Sequence, residues 1–302
     1  VDIVEEYVEA VADTLSLQDS LEVAVNFGNG VAGPAGTRML ERLGCDVREI
    51  NSEVDGDFPN HLPDPTDEAA QQALIEQMDG EDLGIIIDGD GDRAGFVVPG
   101  YGYVEEDRIL ALFSEESLER ERGKVVHDLR ASKLVPEIVE ESGGEPVETR
   151  VGHTFISEMI HQDSDIVFAG ELSGHYYFPA YGFPFDDGLF SAALMCQIAT
   201  EEDLKQRISD FPEYPVSPEL RIDCPEKAKQ RVVEAVKNHY SDRDVSTIDG
   251  AKIPFDSGWA LIRPSNTEEK MSVRCEADTE QDVERILEEV KELVKKKIDQ
   301  FS

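Results

Sequence analysis

The chain has few cationic side chains. It holds 28 Lys and Arg against 66 Asp and Glu in 302 residues, which gives a formal net charge of −38. Such a charge opposes binding to nucleic acid or to an anionic membrane, although a local basic cluster would still bind a phosphorylated small molecule. The acidic residues are spread along the whole chain, which is typical of proteins that work in concentrated salt, where their repulsion is screened. We therefore expect a halophile's protein, with no nucleic acid and no membrane among its partners.

Cysteine is also scarce, and long apolar runs are lacking. Cys45, Cys196, Cys224 and Cys275 are far apart and do not form the paired spacing of a zinc or redox motif. No apolar run reaches membrane-spanning length, and we expect no secretory leader. These features favour a cytoplasmic globular protein with reduced thiols. Because an amphipathic helical pattern begins almost directly after Val1, we also expect a further segment upstream.

Strand-like and helical patterns alternate along most of the chain. They alternate from Leu21 to Ile87, and a second round of similar outline extends to Ala199. Such alternation predicts α/β domains with parallel strands. Prolines between 211 and 218 precede a differently ordered unit of strands and two helices, which is typical of α+β structure. We predict two tandem α/β domains with mixed, mainly parallel sheets plus a C-terminal α+β domain, at residues 1–100, 101–214 and 215–302.

The run DGDGDR follows an apolar strand-like stretch and carries the clearest chemical signal. Asp88, Asp90 and Asp92 alternate with glycines, so a short loop can bring three carboxylates to one point. An EF-hand calcium loop would need glycine and glutamate where Arg93 and Pro99 stand. A polar turn that caps backbone amides is the other alternative. Because crowded carboxylates repel unless a cation neutralises them, the run predicts a site for Mg²⁺, with Mn²⁺ as the alternative ion.

A glycine-rich turn, GNGVAG, lies between the first strand and the next helix. Gly28, Gly30 and Gly33 fit a dinucleotide fingerprint, with Glu53 at about the right distance beyond. The same glycines also suit a tight strand-to-helix turn that needs positive φ. We favour the turn, and a nucleotide-dependent oxidoreductase remains an alternative that this motif alone supports.

A second polar cluster, GELSGH, follows another apolar strand. Glu171, Ser173 and His175 alternate there, and such a loop can bind neighbouring hydroxyls of a sugar. Helix capping is the plainer alternative. The TRVGH segment, with Arg150 and His153, follows a strand of the same domain, and ligands bind beyond the carboxyl ends of such strands. We therefore expect these loops to converge on a ligand.

The third cluster, RPSNTE, stands between two strands of the last unit. Arg263, Ser265, Asn266 and Thr267 offer a guanidinium, hydroxyls and turn amides, which are the usual components of a phosphate site. An ordinary polar hairpin is the alternative. In so acidic a chain, a basic residue among hydroxyls favours phosphate binding.

Taken in order, GNGVAG, FPNHLPDP, DGDGDR, TRVGH, GELSGH and RPSNTE resemble the α-D-phosphohexomutase superfamily, specifically its phosphomannomutase/phosphoglucomutase branch. The resemblance spans nearly the whole chain. It implies an intramolecular phosphotransferase that interconverts hexose 1-phosphate and hexose 6-phosphate, of mannose or glucose, through a phosphoserine and a hexose 1,6-bisphosphate.

The resemblance also implies roles for individual residues. The metal ligands would be Asp88, Asp90 and Asp92. The substrate-binding residues would be Glu171, Ser173, His175, Arg263, Ser265, Asn266 and Thr267. The groups that neutralise charge or transfer protons in the same cleft would be Arg93, Lys133, Arg150 and His153.

One departure from the family bears on activity. Family members carry the phosphorylated serine in a TASHNP-like sequence within a first α/β domain, and no such sequence occurs among these 302 residues. The chain resembles domains two to four, so its expected partners are a hexose phosphate and the missing N-terminal domain of the same polypeptide. We predict no mutase turnover by this chain alone. A shortened paralogue that senses sugar phosphates is the main non-enzymatic alternative.

Overall fold

A computed structural model describes residues 3–265 and 268–301 of the chain. Its α-helices are α1 (Ile3–Thr14), α2 (Gly33–Leu43), α3 (Glu68–Gln77), α4 (Glu106–Arg120), α5 (Leu134–Glu141), α6 (His153–Gln162), α7 (Gly188–Glu201), α8 (Leu204–Asp210), α9 (Glu226–His239) and α10 (Glu280–Phe301). Its strands are β1 (Leu21–Asn26), β2 (Cys45–Ile50), β3 (Leu83–Ile87), β4 (Ala94–Val98), β5 (Gly102–Tyr103), β6 (Lys124–Asp128), β7 (Glu145–Thr149), β8 (Ile166–Gly170), β9 (Tyr176–Phe178), β10 (Phe183–Asp186), β11 (Leu220–Asp223), β12 (Ala251–Phe255), β13 (Gly258–Pro264) and β14 (Lys270–Ala277). In the described part of the chain, no helix is long and apolar enough to cross a membrane.

The first sheet has the strand order β2-β1-β3-β4-β5. Strand β1 pairs in parallel with both β2 and β3, whereas β4 returns antiparallel to β3. Every residue of β3 is buried, as its continuous apolar sequence LGIII requires of a strand covered on both faces. The carboxyl ends of β1 and β3 therefore open at the same edge of the sheet.

The second sheet has the order β10-β9-β8-β6-β7, with β6 parallel to β8 and β8 antiparallel to β9. Helix α4 covers it through Phe113, whose ring packs edge to face on Phe168, Tyr176 and Phe178 at centroid distances of 6.1, 5.3 and 5.4 Å. Both sheets are mixed, which confirms the predicted class of two α/β sheets.

The C-terminal sheet is antiparallel throughout, in the order β11-β14-β13-β12. Helices α9 and α10 pack on one of its faces. The core between them contains Val232 and Val236 of α9, Val290 and Val294 of α10, and Ile262 of β13. This arrangement confirms the predicted α+β class of the last unit.

The chain divides into two compact units. The first comprises residues 1–127, 134–147 and 152–212, and thus holds most of the two α/β sheets. The second comprises residues 128–133, 148–151 and 213–302. Two short segments at the ends of β6 and β7 therefore belong to the same unit as the C-terminal sheet. Leu129 and Val151 from these segments pack on Trp259 and Leu261, on the face of β13 opposite its helices. The three-domain division at residues 100 and 214 remains a proposal.

Candidate metal and sugar-phosphate site

The loop after β3 gathers three carboxylates. One oxygen from each of Asp88, Asp90 and Asp92 lies within 4.8 Å of the others, in a loop whose backbone folds back on itself. The fold-back is fixed by Asp88 Oδ1, which accepts hydrogen bonds from the amides of Gly91 at 2.9 Å and Arg93 at 3.1 Å. Asp88 is fully buried at the strand end, whereas Asp90 is exposed. The sequence prediction that these three side chains converge is matched by this geometry.

The hydrogen-bond donors of this loop do not balance the negative charge of its aspartates. Burial, together with the charge of Asp92, raises the pKa of Asp88 to about 6 even though hydrogen bonds from Arg93 lower it. Asp92 Oδ1 is buried and, among the described residues, accepts no hydrogen bond. Three carboxylates that crowd together, one of them buried with a raised pKa, suit a hard divalent cation. The residues present therefore fit Mg²⁺.

Arg93 is held within the same loop. Its Nε donates to Asp88 Oδ2 at 2.8 Å, and its Nη1 lies 3.0 Å from Asp64 Oδ1 in the proline-rich segment. The guanidinium thus offsets the charge of Asp64 and of the candidate metal ligand Asp88.

The glycine-rich turn packs directly on the metal loop. Gly28 has φ of +53°, and a Cβ added at Gly30 would lie 2.6 Å from the carbonyl oxygen of Gly89. The amide of Val31 donates to that same oxygen at 3.0 Å. These glycines serve a tight turn and a close approach of two backbones, in agreement with the structural interpretation of GNGVAG.

Backbone hydrogen bonds join the metal loop to the GELSGH loop. The amide of Ala94 donates to the carbonyl of Gly174 at 3.1 Å, and Arg93 and His175 form an antiparallel bridge. The main chain of the first unit therefore holds the two motifs together.

Glu171 connects GELSGH to the start of α6. Its buried carboxylate accepts the amide of Gly152 at 2.6 Å through Oε1, and Ser173 Oγ donates to Oε2 at 3.3 Å. Ser173 Oγ also lies 2.8 Å from His175 Nδ1. Since Gly152 directly precedes His153, this network brings His153 beside His175, with ring centroids 5.3 Å apart.

His175 is surrounded by carboxylates. Burial alone would lower its pKa, but the interactions of the ring with the carboxylates of Asp92 and Glu171 outweigh burial and raise the pKa to about 9. The imidazole is therefore cationic at neutral pH. A cation, a carboxylate and a hydroxyl meet here at one surface, which is a suitable combination for a phosphorylated sugar.

The second unit carries a separate basic cavity. It has a volume of about 220 Å³ and is lined by four cationic residues, Arg130, Arg221, Arg263 and Lys270, with Ser265 and Ser272 among its other residues. Arg263 Nε also donates to Asp249 Oδ2 at 2.9 Å, which fixes the guanidinium at the end of β13. Four cations at one cavity, in a chain with only 28 Lys and Arg, favour an anionic ligand.

Helix α9 holds the described residues on either side of Asn266 and Thr267 in RPSNTE. Lys229 Nζ, on a side chain that is 3% exposed, donates to the carbonyl oxygens of Ser265 and Glu268 at 2.7 Å each. Ser265 Oγ accepts the amide of Glu268 at 3.1 Å. Asn266 and Thr267, predicted phosphate ligands, lie outside the described residues.

Two further predicted residues belong to the second unit. The ammonium of Lys133 forms an ion pair with Asp278 and lies 3.9 Å from the ring centroid of Tyr214, while its amide donates to Glu276 at 2.9 Å. Arg150 is exposed. Lys133 is not among the residues that line the basic cavity, whereas Arg130, three residues earlier, is.

The predicted residues thus fall into two groups. The first unit brings together Asp88, Asp90, Asp92, Arg93, His153, Glu171, Ser173 and His175; the second holds Lys133, Arg150, Arg263 and Ser265. Sequence reasoning missed Arg130, Lys229 and Asp186. A basic residue just after a strand of so acidic a chain could have indicated Arg130, but nothing in a charged amphipathic helix singles out Lys229.

The chain is similar to known proteins along most of its length. Family models match in order: phosphoglucomutase/phosphomannomutase alpha/beta/alpha domain II at residues 5–102, alpha/beta/alpha domain III at 105–214, and the C-terminal domain at 219–293. A curated phosphomannomutase/phosphoglucomutase of Pseudomonas aeruginosa is 36% identical over 95% of this chain and 63% of its own length. A phosphomannomutase of Methanocaldococcus jannaschii is 35% identical over 98% of this chain and 66% of its own length.

A solved structure of a phosphoglucomutase/phosphomannomutase family protein from Burkholderia thailandensis superimposes with a TM-score of 0.89 at 32% identity, covering 98% of this chain and 65% of its own. The chain spans less than two thirds of the length of the first curated relatives, at 63%. With three domain models matched in order, and with the fold shared, the chain belongs to the phosphoglucomutase/phosphomannomutase family and carries its domains II, III and IV.

Proposed function

We propose that this chain forms the metal-binding, sugar-recognition and phosphate-binding parts of a phosphohexomutase that interconverts hexose 1-phosphate and hexose 6-phosphate. The observation that carries the proposal is the main-chain bridge between the DGDGDR and GELSGH loops, which unites a divalent-cation site with a polar sugar-type site. The names of the relatives support mannose and glucose phosphates as substrates.

Asp88, Asp90 and Asp92 hold Mg²⁺ in this proposal, and the ion supplies positive charge that stabilises a transferring phosphoryl group. Mn²⁺ is an acceptable substitute for the same oxygen ligands. Arg93 completes the neutralisation, because its guanidinium is fixed between Asp88 and Asp64.

Glu171 and Ser173 read the sugar hydroxyls. The Glu171 carboxylate is oriented by Gly152 and Ser173, and it keeps lone pairs for a ligand hydroxyl. His175, cationic at neutral pH, donates to an anionic or hydroxyl oxygen, and His153 stands beside it for proton transfer.

The basic cavity of the second unit binds the phosphate that does not react. Arg263 and Ser265 supply the guanidinium and hydroxyl, and Arg130 adds a second guanidinium. In phosphoryl transfer of this kind, positioning of the substrate supplies much of the rate enhancement.

The phosphoryl group itself passes through a phosphoserine and a hexose 1,6-bisphosphate in this scheme. No TASHNP-like serine occurs within the 302 residues. We accordingly expect the chain to bind Mg²⁺ and hexose phosphates but to show no multiple turnover unless a phosphoserine-bearing domain is supplied.

Calorimetric titration with mannose 1-phosphate and glucose 1-phosphate, in Mg²⁺, tests the binding part. We expect saturable binding that Glu171→Gln and Arg263→Met weaken by ~10-fold or more, as loss of a charge-assisted contact implies. Glu140→Gln, on an exposed part of α5, is the matched control. Absence of binding would overturn the substrate assignment, and sustained turnover by the chain alone would overturn the need for an external phosphoserine.

A further inference from the structure

Four side chains of the first unit form a cluster that differs in chemistry from the three aspartates. Asp92, His153, His175 and Asp186 each offer one atom, and all four atoms lie within 4.8 Å of one another. They come from four places in the chain: the metal loop, the first residue of α6, the residue before β9 and the last residue of β10. The fold, not local sequence, assembles the cluster.

The distances within the cluster match a shared ion better than direct hydrogen bonds. His153 Nδ1 lies 3.6 Å from Asp186 Oδ2, and His175 Nε2 lies 3.5 Å from Asp92 Oδ1. Strong hydrogen bonds between such charged groups measure about 2.7–2.9 Å. On a tetrahedral ion with N and O ligands at about 2.0–2.1 Å, two ligand atoms lie roughly 3.4 Å apart.

The hydrogen bonds around His175 leave its Nε2 suited to a metal. Glu171 is a carboxylate acceptor, so the Ser173 hydroxyl donates to it and accepts from His175 Nδ1–H. When a metal ion displaces the Nε2 proton of the cationic ring, this network keeps the remaining proton on Nδ1 and leaves the Nε2 lone pair towards Asp92. Asp92 Oδ1, the atom that faces it, is buried and, within the part of the chain described, accepts no hydrogen bond.

The other half of the cluster is also positioned by a neighbour. The Tyr177 hydroxyl lies 3.0 Å from Asp186 Oδ2 and 3.1 Å from the carbonyl oxygen of His153. One side chain therefore fixes both the carboxylate and the helix start that carries the imidazole. Outer contacts of this kind orient ligands in metal sites.

We propose that Asp92, His153, His175 and Asp186 form a second metal site, specific for borderline transition ions of the Zn²⁺ class and distinct from the all-oxygen site of the three aspartates. Two imidazoles with two carboxylates favour such ions, whereas Mg²⁺ prefers oxygen ligands in octahedral geometry. A carboxylate has two oxygens, so Asp92 can contribute one to each site.

This assignment does not depend on the proposed function, but one consequence does. If His153 and His175 take part in sugar-phosphate turnover, a Zn²⁺ ion that engages both removes them from the reaction. Transition-metal binding would then inhibit an enzyme that Mg²⁺ activates.

Visible absorption of bound Co²⁺ tests the site without any assay of activity. Co²⁺ is titrated into the 302-residue chain in excess Mg²⁺, which fills the all-oxygen site. We expect one Co²⁺ per chain with the intense bands of tetrahedral coordination, displaced by Zn²⁺ but not by Mg²⁺. Weak binding to the acidic surface gives pale octahedral spectra, so the band intensity separates the two.

The variants assign the ligands. His153→Ala and Asp186→Asn should abolish the tetrahedral spectrum, whereas Asp90→Asn, which alters only the all-oxygen site, and His161→Gln, an exposed histidine elsewhere on α6, should keep it. Ser173→Ala, which leaves all four ligands in place, should weaken Co²⁺ binding by ~10-fold through the lost outer contact.

Three results would overturn the proposal. They are the absence of a tetrahedral spectrum in the wild-type chain, its loss in Asp90→Asn, and its persistence in His153→Ala and Asp186→Asn. Circular dichroism checks that each variant is folded. If a ligand variant does not fold, the Co²⁺ affinity of Ser173→Ala tests the proposal instead.

Discussion

Lys229 donates a 2.7 Å hydrogen bond to the carbonyl oxygen of Ser265, and a second bond of equal length reaches Glu268. The buried ammonium thus joins both sides of the turn that carries the phosphate motif. The carbonyl oxygen of Glu268 also accepts the amide of Lys270 at 2.8 Å. The residue that holds Ser265 and Glu268 thus lies on helix α9, outside the RPSNTE motif.

Lys229→Met should loosen this turn. The substitution keeps the buried aliphatic stem but removes the ammonium donor from two carbonyl groups, of which, among the described residues, only that of Glu268 keeps a bond from the Lys270 amide. We therefore expect a loss of ~1–3 kcal/mol in unfolding free energy. Hexose phosphate affinity should fall as well, because Ser265 would no longer be fixed. Urea denaturation and calorimetric titration measure the two effects. Lys227→Met, exposed on the same helix, is the control, and equal behaviour of the two variants would contradict the assigned role.

Gly30→Ala should disrupt the metal loop from outside it. The added methyl would lie 2.6 Å from the carbonyl oxygen of Gly89 and 2.8 Å from its Cα, so the backbone between Asp88 and Asp90 must shift. We expect Mg²⁺ affinity to fall while the chain stays folded. The thermal midpoint, recorded with and without Mg²⁺, measures this, since a ligand that binds only the folded state raises it. Gly56→Ala, where a Cβ meets nothing within 4 Å, should retain the full Mg²⁺ response.

Glu116 should make stability depend on pH. Burial, with the charges of Glu119, Glu201 and Glu202, raises its pKa from 4.5 to about 7. The folded state thus binds the proton more tightly than the unfolded state, so this residue lowers stability as pH rises from about 4.5 to about 7. After discounting for partial exposure, Glu116→Gln should stabilise the protein at pH 8 by on the order of 1–2 kcal/mol, and by much less at pH 4.

Urea unfolding at the two pH values decides this prediction. Glu140→Gln, a solvent-exposed position on α5, removes the same charge without the burial and should leave the pH dependence unchanged. A stabilisation by Glu116→Gln that is equal at both pH values would refute the role of its raised pKa.

Glu276 links the only tryptophan of the chain to the loop before α5. Its fully buried Oε1 accepts from Trp259 Nε1 at 3.0 Å and from the amide of Lys133 at 2.9 Å. Glu276→Ala removes both acceptors and should cost ~2–4 kcal/mol, whereas Glu276→Gln keeps a carbonyl oxygen and should cost less than about half of that. Trp259 fluorescence should shift to longer wavelength in Glu276→Ala. An unchanged emission maximum in that variant would argue against the contact.

The sequence predicted the features that depend on residues close together along the chain. The buried run LGIII gave β3, and the alternating aspartates after it form the loop that gathers their carboxylates. The charged amphipathic pattern that begins at Glu280 likewise corresponds to the start of α10. In each case a local pattern of burial or turn chemistry determines the structure.

Features that depend on distant pairing were not predicted. Strands β9 and β10 are only three and four residues long. Their positions come from pairing of β9 with β8 and of β10 with β9, not from their own periodicity. Asp186 meets His153 because Tyr177 lies between their segments, and Lys229 reaches Ser265 across the fold. No pattern in one sequence specifies such contacts, because they depend on how whole elements pack.

The backbone bridge between Arg93 and His175 limits how this protein can be redesigned. Two loops that carry different chemistry share main-chain hydrogen bonds, among them the one from Ala94 to Gly174. The conformation of each loop therefore depends on the other. Replacing GELSGH alone by a loop of another length would break the main-chain hydrogen bonds that shape the aspartate loop. New sugar preferences would therefore have to be introduced by side-chain replacement within the existing loop, or by transplanting both loops as one cassette.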